Sequence, residues 1–355
     1  MKRRVIADYI FLDGDQKFRT KNRVVLVTGS QISFDDFSVD GSSTGQAFNR
    51  NTEVILRPVY HTHNPMRAIE SYLVLCETYN SITNEPLPSN TRAEAAKFFA
   101  QSDIYDLDIW FGPEQEYYLY KAFPSNMVPS PILRGDTIVN APGTHYCGLH
   151  VDSIQQQIVD KHFEICMAAG LDFYGTNAEV SPDQWEFQLG PCNGIVSADQ
   201  LTVARFLLEK VAAQYDYRVC FHPKPYTTRQ GSGCHINIST NITRNPEKGD
   251  AEIVRLIKAF GTTHEAHIAV YGQGNDERLT GDCETAPIDK YSYGFGTRDT
   301  SVRVSYQVSK AGFGYFEDRR PAANVDPYLA MMRIAQTIKE TKDFVYVPSL
   351  SSDVL

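Results

Sequence analysis

The first 80 residues show the hydrophobic pattern of short strands. Four runs rich in aromatic and β-branched residues, YIFL, RVVLVTG, TEVILRPVY and SYLVLCETY, are separated by polar turns. Residues 82–91 (ITNEPLPSNT) contain two prolines among turn-forming residues. We therefore predict a strand-rich N-terminal domain over residues 1–88 and a second, larger domain over residues 89–355.

Beyond this boundary, helical and strand-like patterns alternate. Thr91 and Glu94 have the spacing of a capping box, which predicts that Thr91 caps the next helix. Asp326-Pro327 predicts the start of a late helix. Apolar residues also recur at helical spacing in three segments: Ile154, Ile158, Ile165 and Cys166, ended by Gly170; Leu201, Ala204, Leu208 and Val211; and Ile253, Leu256, Ile257 and Phe260. This mixture predicts an α+β fold.

Residues 178–188 (AEVSPDQWEFQ) place two glutamates among apolar neighbours. Both halves alternate apolar and polar residues, and Ser181-Pro182-Asp183-Gln184 has turn chemistry, so the segment predicts a β-hairpin. Pairing that is symmetric about Pro182-Asp183 would set Glu179 directly opposite Glu186. Two facing carboxylates are destabilising unless a cation lies between them. The alternative is a solvated hairpin face with both carboxylates in water.

Acidic or imidazole side chains also occur in three further strand-like segments, where polar residues alternate with their neighbours as in a strand. The segments are WFGPEQEYYLY, GSGCHINIS and YFEDRRP. Carboxylates with one imidazole favour Mg²⁺ or Mn²⁺, and the lack of clustered cysteines argues against structural zinc. Taken singly, each segment also fits a structural role, such as a rim glutamate, a buried histidine or a salt-bridged surface. The side chains that share a face are Glu114 with Glu116, His235 with Asn237 and Ser239, and Glu317 with Arg319.

Arginines are concentrated in the same part of the chain as many glycines. They are Arg278, Arg298, Arg303 and Arg319. Guanidinium groups bind phosphate and carboxylate oxygens in pairs, so acids for a metal and arginines for an anion favour phosphoryl transfer from a nucleotide. The sequence has no Walker A motif, and its Gly-x-Gly pairs lack the third glycine of a dinucleotide fingerprint. The residues alone predict a metal-dependent enzyme acting on an anionic substrate.

Composition narrows the class of partner. The 355 residues are 42% hydrophobic, and the net charge of −9 includes no block of Lys and Arg, so we expect neither a nucleic-acid nor a membrane partner. The N-terminus does not resemble a signal peptide, and no 18-residue apolar span occurs. Seven scattered cysteines without a Cys-x-x-Cys pair indicate reduced thiols in a cytoplasmic protein.

Six ordered segments together resemble glutamine synthetase in its type II, eukaryotic-type form. They are DGSST (40–44), WFGPEQE (110–116), GTNAEVSPDQWEFQLGPC (175–192), GSGCHIN (231–237), RLTG (278–281) and YFEDRRP (315–321). The resemblance extends from about residue 5 to about residue 340. It implies a β-grasp domain over residues 1–88 and a catalytic domain, over residues 89–355, with a curved antiparallel sheet flanked by helices. It also implies a homo-oligomer of two stacked pentameric rings, with active sites between subunits.

Residue by residue, the resemblance implies a role for each candidate. Metal ligands would be Glu116, Glu179 and Glu186 at one position and Glu114, His235 and Glu317 at a second. The ATP site would include Trp110, Glu186, Pro191, Asn237, Ser239, Arg244, Arg298, Arg303 and Tyr315. Glutamate would be bound by Arg278 together with Gly231 and Arg319, and ammonium by Tyr146 and Glu284, with Asp40 from the next subunit. The catalytic group would then be Asp40, Glu284, Arg298 and Arg319.

The activity that the resemblance implies is ATP-dependent joining of ammonium to L-glutamate through γ-glutamyl phosphate. Two or three Mg²⁺ or Mn²⁺ ions would serve as cofactors, and ATP as co-substrate. The chain departs from the family at Thr228-Arg229-Gln230, where Asn-Trp is usual, at Asp282-Cys283, where Phe-His is usual, and at Val304-Ser305-Tyr306, where Pro-Arg is usual.

Three alternatives remain at this point. One is a related ligase that joins glutamate to a larger amine, and the acids retained in the ammonium pocket argue against it. A second is a non-catalytic structural member of the same fold, which would have no need of a cluster of like charges. The third is a two-metal hydrolase, which the set of arginines and the order of the two domains disfavour.

Overall fold

The computed structural model describes residues 2–29, 32–48, 51–122, 145–148 and 152–342, and its first part is a five-stranded sheet. The strands are β1 (Lys2–Leu12), β2 (Phe18–Thr28), β3 (Phe37–Asp40), β4 (Glu53–His63) and β5 (Ser71–Asn80). Their order is β2-β1-β5-β4-β3, with β1 and β5 parallel and the other pairs antiparallel. The four predicted strand runs are confirmed in β1, β2, β4 and β5.

The second sheet carries five of the six predicted metal ligands in its strands. Its strands are β6 (Trp110–Lys121), β7 (Phe173–Ala178), β8 (Gln184–Leu189), β9 (Cys192–Asn193), β10 (Tyr217–Cys220), β11 (Cys234–Ser239), β12 (Tyr293–Phe295), β13 (Val302–Val304) and β14 (Phe316–Asp318). The main order is β12-β13-β14-β11-β6-β8-β7, and β9 and β10 also pair with β6. The expectation of a fully antiparallel sheet is wrong at one edge, because β12 and β13 are parallel.

Helices pack against this sheet and form one large apolar core with it. They are α1 (Thr91–Phe99), α2 (Ser102–Tyr105), α3 (Ser153–Ala169), α4 (Gly194–Gln214), α5 (Gly249–Thr262), α6 (His264–Ile268), α7 (Tyr306–Ala311) and α8 (Pro327–Glu340). Phe111, Trp185 and Phe187 from the sheet share the core with Leu207 of α4 and Ile334 of α8. The chain is therefore a mixed α and β protein. None of its described helices is both long and apolar enough to cross a membrane.

Helix ends follow local capping chemistry, with two corrections to the sequence predictions. Asn90, not Thr91, caps α1, because the Asn90 side-chain Oδ1 accepts from the Ala93 N–H, whereas the Thr91 hydroxyl donates to Asp326. Ile154 is exposed instead of joining the apolar stripe of α3. Gly170 ends α3 in the left-handed conformation, and Asp326 caps α8, both as predicted.

The β7–β8 hairpin forms, but its register differs from the prediction. Asn177 pairs with Glu186, and the Glu179 N–H donates to the Gln184 carbonyl at 2.9 Å, so Glu179 lies opposite Gln184. The symmetric pairing of Glu179 with Glu186 is therefore wrong. Asp183 has a left-handed backbone (φ 66°) in the turn. Next to this turn, residues of β7 pair with residues of β8 two positions away from those that symmetric pairing predicts. A two-residue shift preserves the side-chain face, so both carboxylates still lie on one side of the sheet.

Strand β6 has the predicted alternation and separates two environments. Gln115 points into the core, where its side-chain oxygen accepts from Arg205 and its amide donates to the Ala323 carbonyl. Glu114 and Glu116 consequently lie on the opposite face.

Behind β14, a buried ion pair supports the strand that carries Glu317. Asp318 and Arg320 are joined by two side-chain hydrogen bonds, at 2.9 and 2.7 Å, and are essentially inaccessible to solvent. The Tyr271 hydroxyl also donates to Asp318 at 2.7 Å.

We expect Asp318→Asn to lower the free energy of unfolding by about 3–5 kcal/mol, because it leaves the Arg320 charge buried without a counter-charge. The matched control is Glu70→Gln in the partly exposed Arg3–Glu70 pair, which we expect to cost less than about 1 kcal/mol. Urea unfolding of the full chain measures both changes. Equal losses in the two variants would show that the buried pair has no special role.

Candidate active site

Neighbouring strands bring four of the predicted metal ligands into direct register. Glu116 of β6 is paired with Glu186 of β8, and Glu114 of β6 is paired with His235 of β11. Ligand atoms of Glu114, His235 and Glu317 all lie within 4.8 Å of one another. The sheet therefore assembles, from distant parts of the chain, the acids and the imidazole that the strand periodicity selected.

Glu317 is the member of this cluster that the protein itself neutralises. Burial raises the pKa of its carboxyl, but the hydrogen bond with His235 and the charges of Arg319 and Arg303 outweigh burial and hold that pKa well below its ordinary value. The Nη1 atoms of Arg319 and Arg303 lie 2.7 and 2.9 Å from the two carboxylate oxygens. Glu317 is therefore ionised, and both arginines are fixed by it.

The other acids have no such partners. Burial, followed by the charge of Glu116, raises the pKa of Glu179 to about 8. Burial and the charges of Glu114, Glu179 and Glu116 raise the pKa of Glu186 well above its ordinary value, and burial and Glu317 raise that of Glu114. Carboxylates that are this close and this dry require protons or a cation. The donor set of oxygens with one imidazole fits Mg²⁺ or Mn²⁺.

Glu116 is held by groups that the sequence did not single out. Its carboxylate accepts from the Gly233 N–H at 2.8 Å and from the Gln184 amide at 3.2 Å, and the Gln184 amide also donates to the Gly231 carbonyl. A Cβ at position 233 would lie 2.5 Å from Arg278 and 2.7 Å from His235, which requires glycine there. In the sequence, Gln184 belongs to the predicted turn. Only the observed register of the hairpin shows that its side chain reaches Glu116.

A cavity of about 470 Å³ opens on one side of the cluster. Its walls include Glu114, Gln188 and six of the nine residues predicted for the ATP site, namely Trp110, Pro191, Asn237, Ser239, Arg244 and Tyr315. The other three, Glu186, Arg298 and Arg303, do not line it. Arg244 stacks on the Trp110 ring at 4.3 Å and donates to the Ser239 hydroxyl at 2.9 Å. The size and the aromatic walls suit a nucleotide, and Glu114 connects this cavity to the carboxylate cluster.

A smaller recess lies on the other side of the cluster, where Glu116, Glu179 and His235 meet Arg278 and Arg319. Arg278 is fully buried, and burial lowers its pKa to about 10. Its Nη2 lies 2.9 Å from His235 Nε2 and 3.1 Å from the Arg319 carbonyl oxygen. The remaining walls include Gly231, Cys283 and Glu284. A cationic group and acids together suit a zwitterionic amino acid.

Glu284 lines this recess, and Arg298 interacts with it. Burial lowers the pKa of Arg298, but Glu284 and Tyr146 more than offset burial, so this pKa is raised above its ordinary value. Glu284 has a left-handed backbone, and its carbonyl accepts from Arg319 at 3.4 Å. The Nε atoms of Arg303 and Arg319 are buried without a hydrogen-bond partner in the described ranges.

Asp40 is not among the residues that line this recess. It ends β3 in the first sheet, is exposed, and accepts hydrogen bonds from the hydroxyls of Ser42 and Ser43 at 2.8 and 2.7 Å. Hydrogen bonds from Ser43, Ser42 and Thr52 hold its pKa well below the ordinary value. Asp40 is thus an ionised, outward-facing carboxylate.

One departure from the family pattern has a visible structural role. Arg229 stacks on the Tyr226 ring at 4.0 Å and donates to the Pro182 carbonyl at 3.0 Å and to Asp183 at 3.1 Å. The Gln230 N–H donates to the Ser181 hydroxyl at 3.0 Å. These contacts hold the turn of the β7–β8 hairpin and leave the metal-ligand face unobstructed.

Comparison with known proteins agrees with this site. Residues 88–337 match the family model described as glutamine synthetase, catalytic domain, and the chain belongs to the glutamine synthetase family. It is 39% identical over 344 residues to the glutamine synthetase of Saccharomyces cerevisiae, covering 94% of this chain and 89% of that protein. It is 41% identical over 348 residues to the cytosolic isozyme 1-3 of Arabidopsis thaliana, covering 94% of both. A putative glutamine synthetase of Acanthamoeba polyphaga mimivirus is 40% identical over 343 residues.

We expect the metal-free protein to lose stability as the pH rises. The folded-state pKa of Glu179, about 8, exceeds its unfolded value of 4.5, so this contribution is complete below about pH 4.5 and is lost as the pH approaches 8. Thermal unfolding in EDTA should show the decline, and Mn²⁺ should reverse it at pH 8 because the cation replaces the proton. Glu179→Gln should flatten the decline, and an unchanged slope in that variant would refute the assignment.

Proposed function

We propose that the chain is a glutamate–ammonia ligase that forms L-glutamine, ADP and phosphate from L-glutamate, ammonium and ATP. The observation that carries this proposal is the position of the cluster. Five glutamates and His235 lie between a cavity with the size of a nucleotide and a recess with the charges of an amino-acid site. A ligase that activates a carboxylate with ATP needs this order of nucleotide, metal and second substrate.

Divalent metal would be held by two groups of side chains. Glu116, Glu179 and Glu186 form one, and Glu114, His235 and Glu317 form the other. When bound, the ions neutralise the phosphate charge and orient the γ-phosphoryl group. The raised pKa values of Glu179 and Glu186 and the convergence of the second group support this division.

ATP would lie in the larger cavity. The aromatic rings of Trp110 and Tyr315 are in its walls, so they are suited to the adenine, and Glu114 lies at the end nearest the cluster. Arg298, Arg303 and Arg319 would then contact the phosphates and the transferred group. The hydrogen bonds from Arg303 and Arg319 to Glu317 support this role, because guanidinium groups already fixed by Glu317 are preorganised for an anion.

Glutamate would occupy the smaller recess, with Arg278 and Gly231 at one wall. Ammonium would lie near Tyr146 and Glu284. Asp40 is exposed at the end of β3 and would complete the ammonium site of a neighbouring subunit, as in a ring oligomer of two stacked pentamers. The five-stranded first sheet would be the β-grasp domain, over residues 1–88, and we place the enzyme in the cytosol like its plant relatives.

The chemistry follows from this arrangement. The side-chain carboxylate of glutamate attacks the γ-phosphorus in line, the bond from phosphorus to the β,γ-bridging oxygen breaks, and γ-glutamyl phosphate and ADP form. Asp40 takes a proton from ammonium, ammonia attacks the acyl carbon, and phosphate leaves with the second proton that the new amide nitrogen gives up. Residues 283–285 border the recess and would exclude water, which would otherwise hydrolyse the acyl phosphate.

We expect ADP release in the presence of Mg²⁺ and glutamate to require ammonium for sustained turnover. The assay measures ADP with glutamate alone, with ammonium, with methylamine and with a polyamine, together with the amide product. A strong preference for the polyamine would identify a ligase for larger amines. Absence of ADP release with every amine would indicate a non-catalytic member of the family.

Asp40→Asn should abolish use of ammonium at neutral pH while leaving ATP binding intact, because the amide cannot take the ammonium proton. Glutamine formation and nucleotide affinity measure the two effects. Asp15→Asn is the matched control, since Asp15 is an exposed acid on another turn of the same sheet. Glutamine synthesis by Asp40→Asn at the rate of the control would contradict the role of Asp40.

A further inference from the structure

Two amide side chains link the carboxylates of Glu186 and Glu179. The Gln188 amide donates both to the Glu186 carboxylate and, at 2.9 Å, to the Asn177 side-chain oxygen. The Asn177 amide in turn donates to the Glu179 carboxylate at 2.9 Å. The four side chains form one continuous path across the β7–β8 hairpin, in which Asn177 is the cross-strand partner of Glu186.

The direction of every hydrogen bond in this path is determined when both carboxylates are ionised, as they would be around a bound cation. Ionised carboxylates only accept, so each amide then turns its nitrogen towards the carboxylate that it contacts. The Asn177 oxygen then faces Gln188, whose amide has a second N–H to donate. Both amides therefore have one arrangement, and reversing either would place two acceptors in contact.

The backbone makes room for this arrangement at Gly175. Gly175 is the cross-strand partner of Gln188, and a Cβ at position 175 would lie 2.6 Å from the Gln188 side-chain oxygen. The Gly175 φ lies outside the left-handed region, so alanine fits this backbone. An alanine at position 175 would therefore not strain its own backbone, but it would force the Gln188 side-chain amide to shift.

Neutral donors act on a carboxylate differently from arginines. Arg303 and Arg319 cancel the charge of Glu317, whereas an amide fixes the orientation of a carboxylate and leaves its negative charge available. Partners of this kind are expected beside carboxylates that must bind a cation. Gln188 is also opposite Glu114 and lines the larger cavity, so it adjoins both metal groups.

We propose that Asn177 and Gln188 are positioning residues that hold the carboxylates of Glu179 and Glu186 for a divalent cation, and that Gly175 is a glycine because Gln188 needs its space. This inference rests on the proposed function, since it concerns the metal site of that reaction. None of the three residues is a ligand itself.

The test measures Mn²⁺ binding to the full chain by electron paramagnetic resonance, without substrates, and unfolding in EDTA. Gln188→Ala and Asn177→Ala should each weaken Mn²⁺ binding by about 10-fold or more. Gln157→Ala, an exposed glutamine on α3, is the control and should not change it. A merely structural role would lower the unfolding temperature in EDTA and leave the Mn²⁺ affinity of the folded protein unchanged, and that result would overturn the proposal.

A double-mutant cycle gives the sharper comparison. Gly175→Ala should weaken Mn²⁺ binding in the natural chain, because the new methyl group displaces the Gln188 amide. In a Gln188→Ala background, the same change should have no further effect, since the clash is gone. Additive losses would overturn the link between the two residues. If the Gly175→Ala variant binds Mn²⁺ as tightly as the natural chain, that result alone overturns the link.

The natural chain separates this inference from the proposed function. If it binds Mn²⁺ but forms no glutamine, the proposed function fails and the variants still decide the positioning role. If it forms glutamine and the variants bind Mn²⁺ normally, only the positioning role fails. If it binds no Mn²⁺, both are wrong.

Discussion

Repulsion among five clustered glutamates, three of them buried and two half-buried, is the constraint on which the rest of this structure depends. Glu114, Glu116, Glu179, Glu186 and Glu317 converge from four segments of one sheet region, in a place with little water. Such a cluster costs free energy unless positive charge enters it. The fold around it therefore has to be rigid enough to keep the acids together, which explains the extensive core behind the sheet and the buried Asp318–Arg320 pair.

The protein resolves this repulsion differently at its two ends. Near β14, fixed arginines compensate Glu317, so this end is ionised without a ligand. Near the β7–β8 hairpin, amides and backbone N–H groups orient the acids without cancelling their charge. The negative charge of the cluster is thus balanced by arginines on one side and left unbalanced on the other. That asymmetry distinguishes a site prepared for a cation from a structural ion-pair network.

The alternation of residues along the strands predicted most of the site, because the face of the sheet to which a side chain points depends only on whether its position in the strand is odd or even. Glu114, Glu116 and His235 could be assigned to one face for this reason, and the core side of Gln115 followed. The register of a hairpin and the residue that caps a helix depend on a turn, and they could not be derived in this way. The left-handed Asp183 moved the hairpin register by two residues, and competition between Asn90 and Thr91 decided a helix cap. The burial of Arg278 against His235 joins segments 43 residues apart and has no local signal.

The alternation along β6 has a consequence for how the sequence can change. Gln115 contacts Arg205 in the core, while its two neighbours face the cluster. Insertion or deletion of a single residue within Trp110–Lys121 would exchange the two faces, so that acids would point into the apolar core and core side chains into the carboxylate cluster. Substitutions in β6 can be tolerated one at a time, but its length cannot vary by one. Length differences between related chains should therefore fall in the connections between strands, where an added residue does not change the face to which strand side chains point.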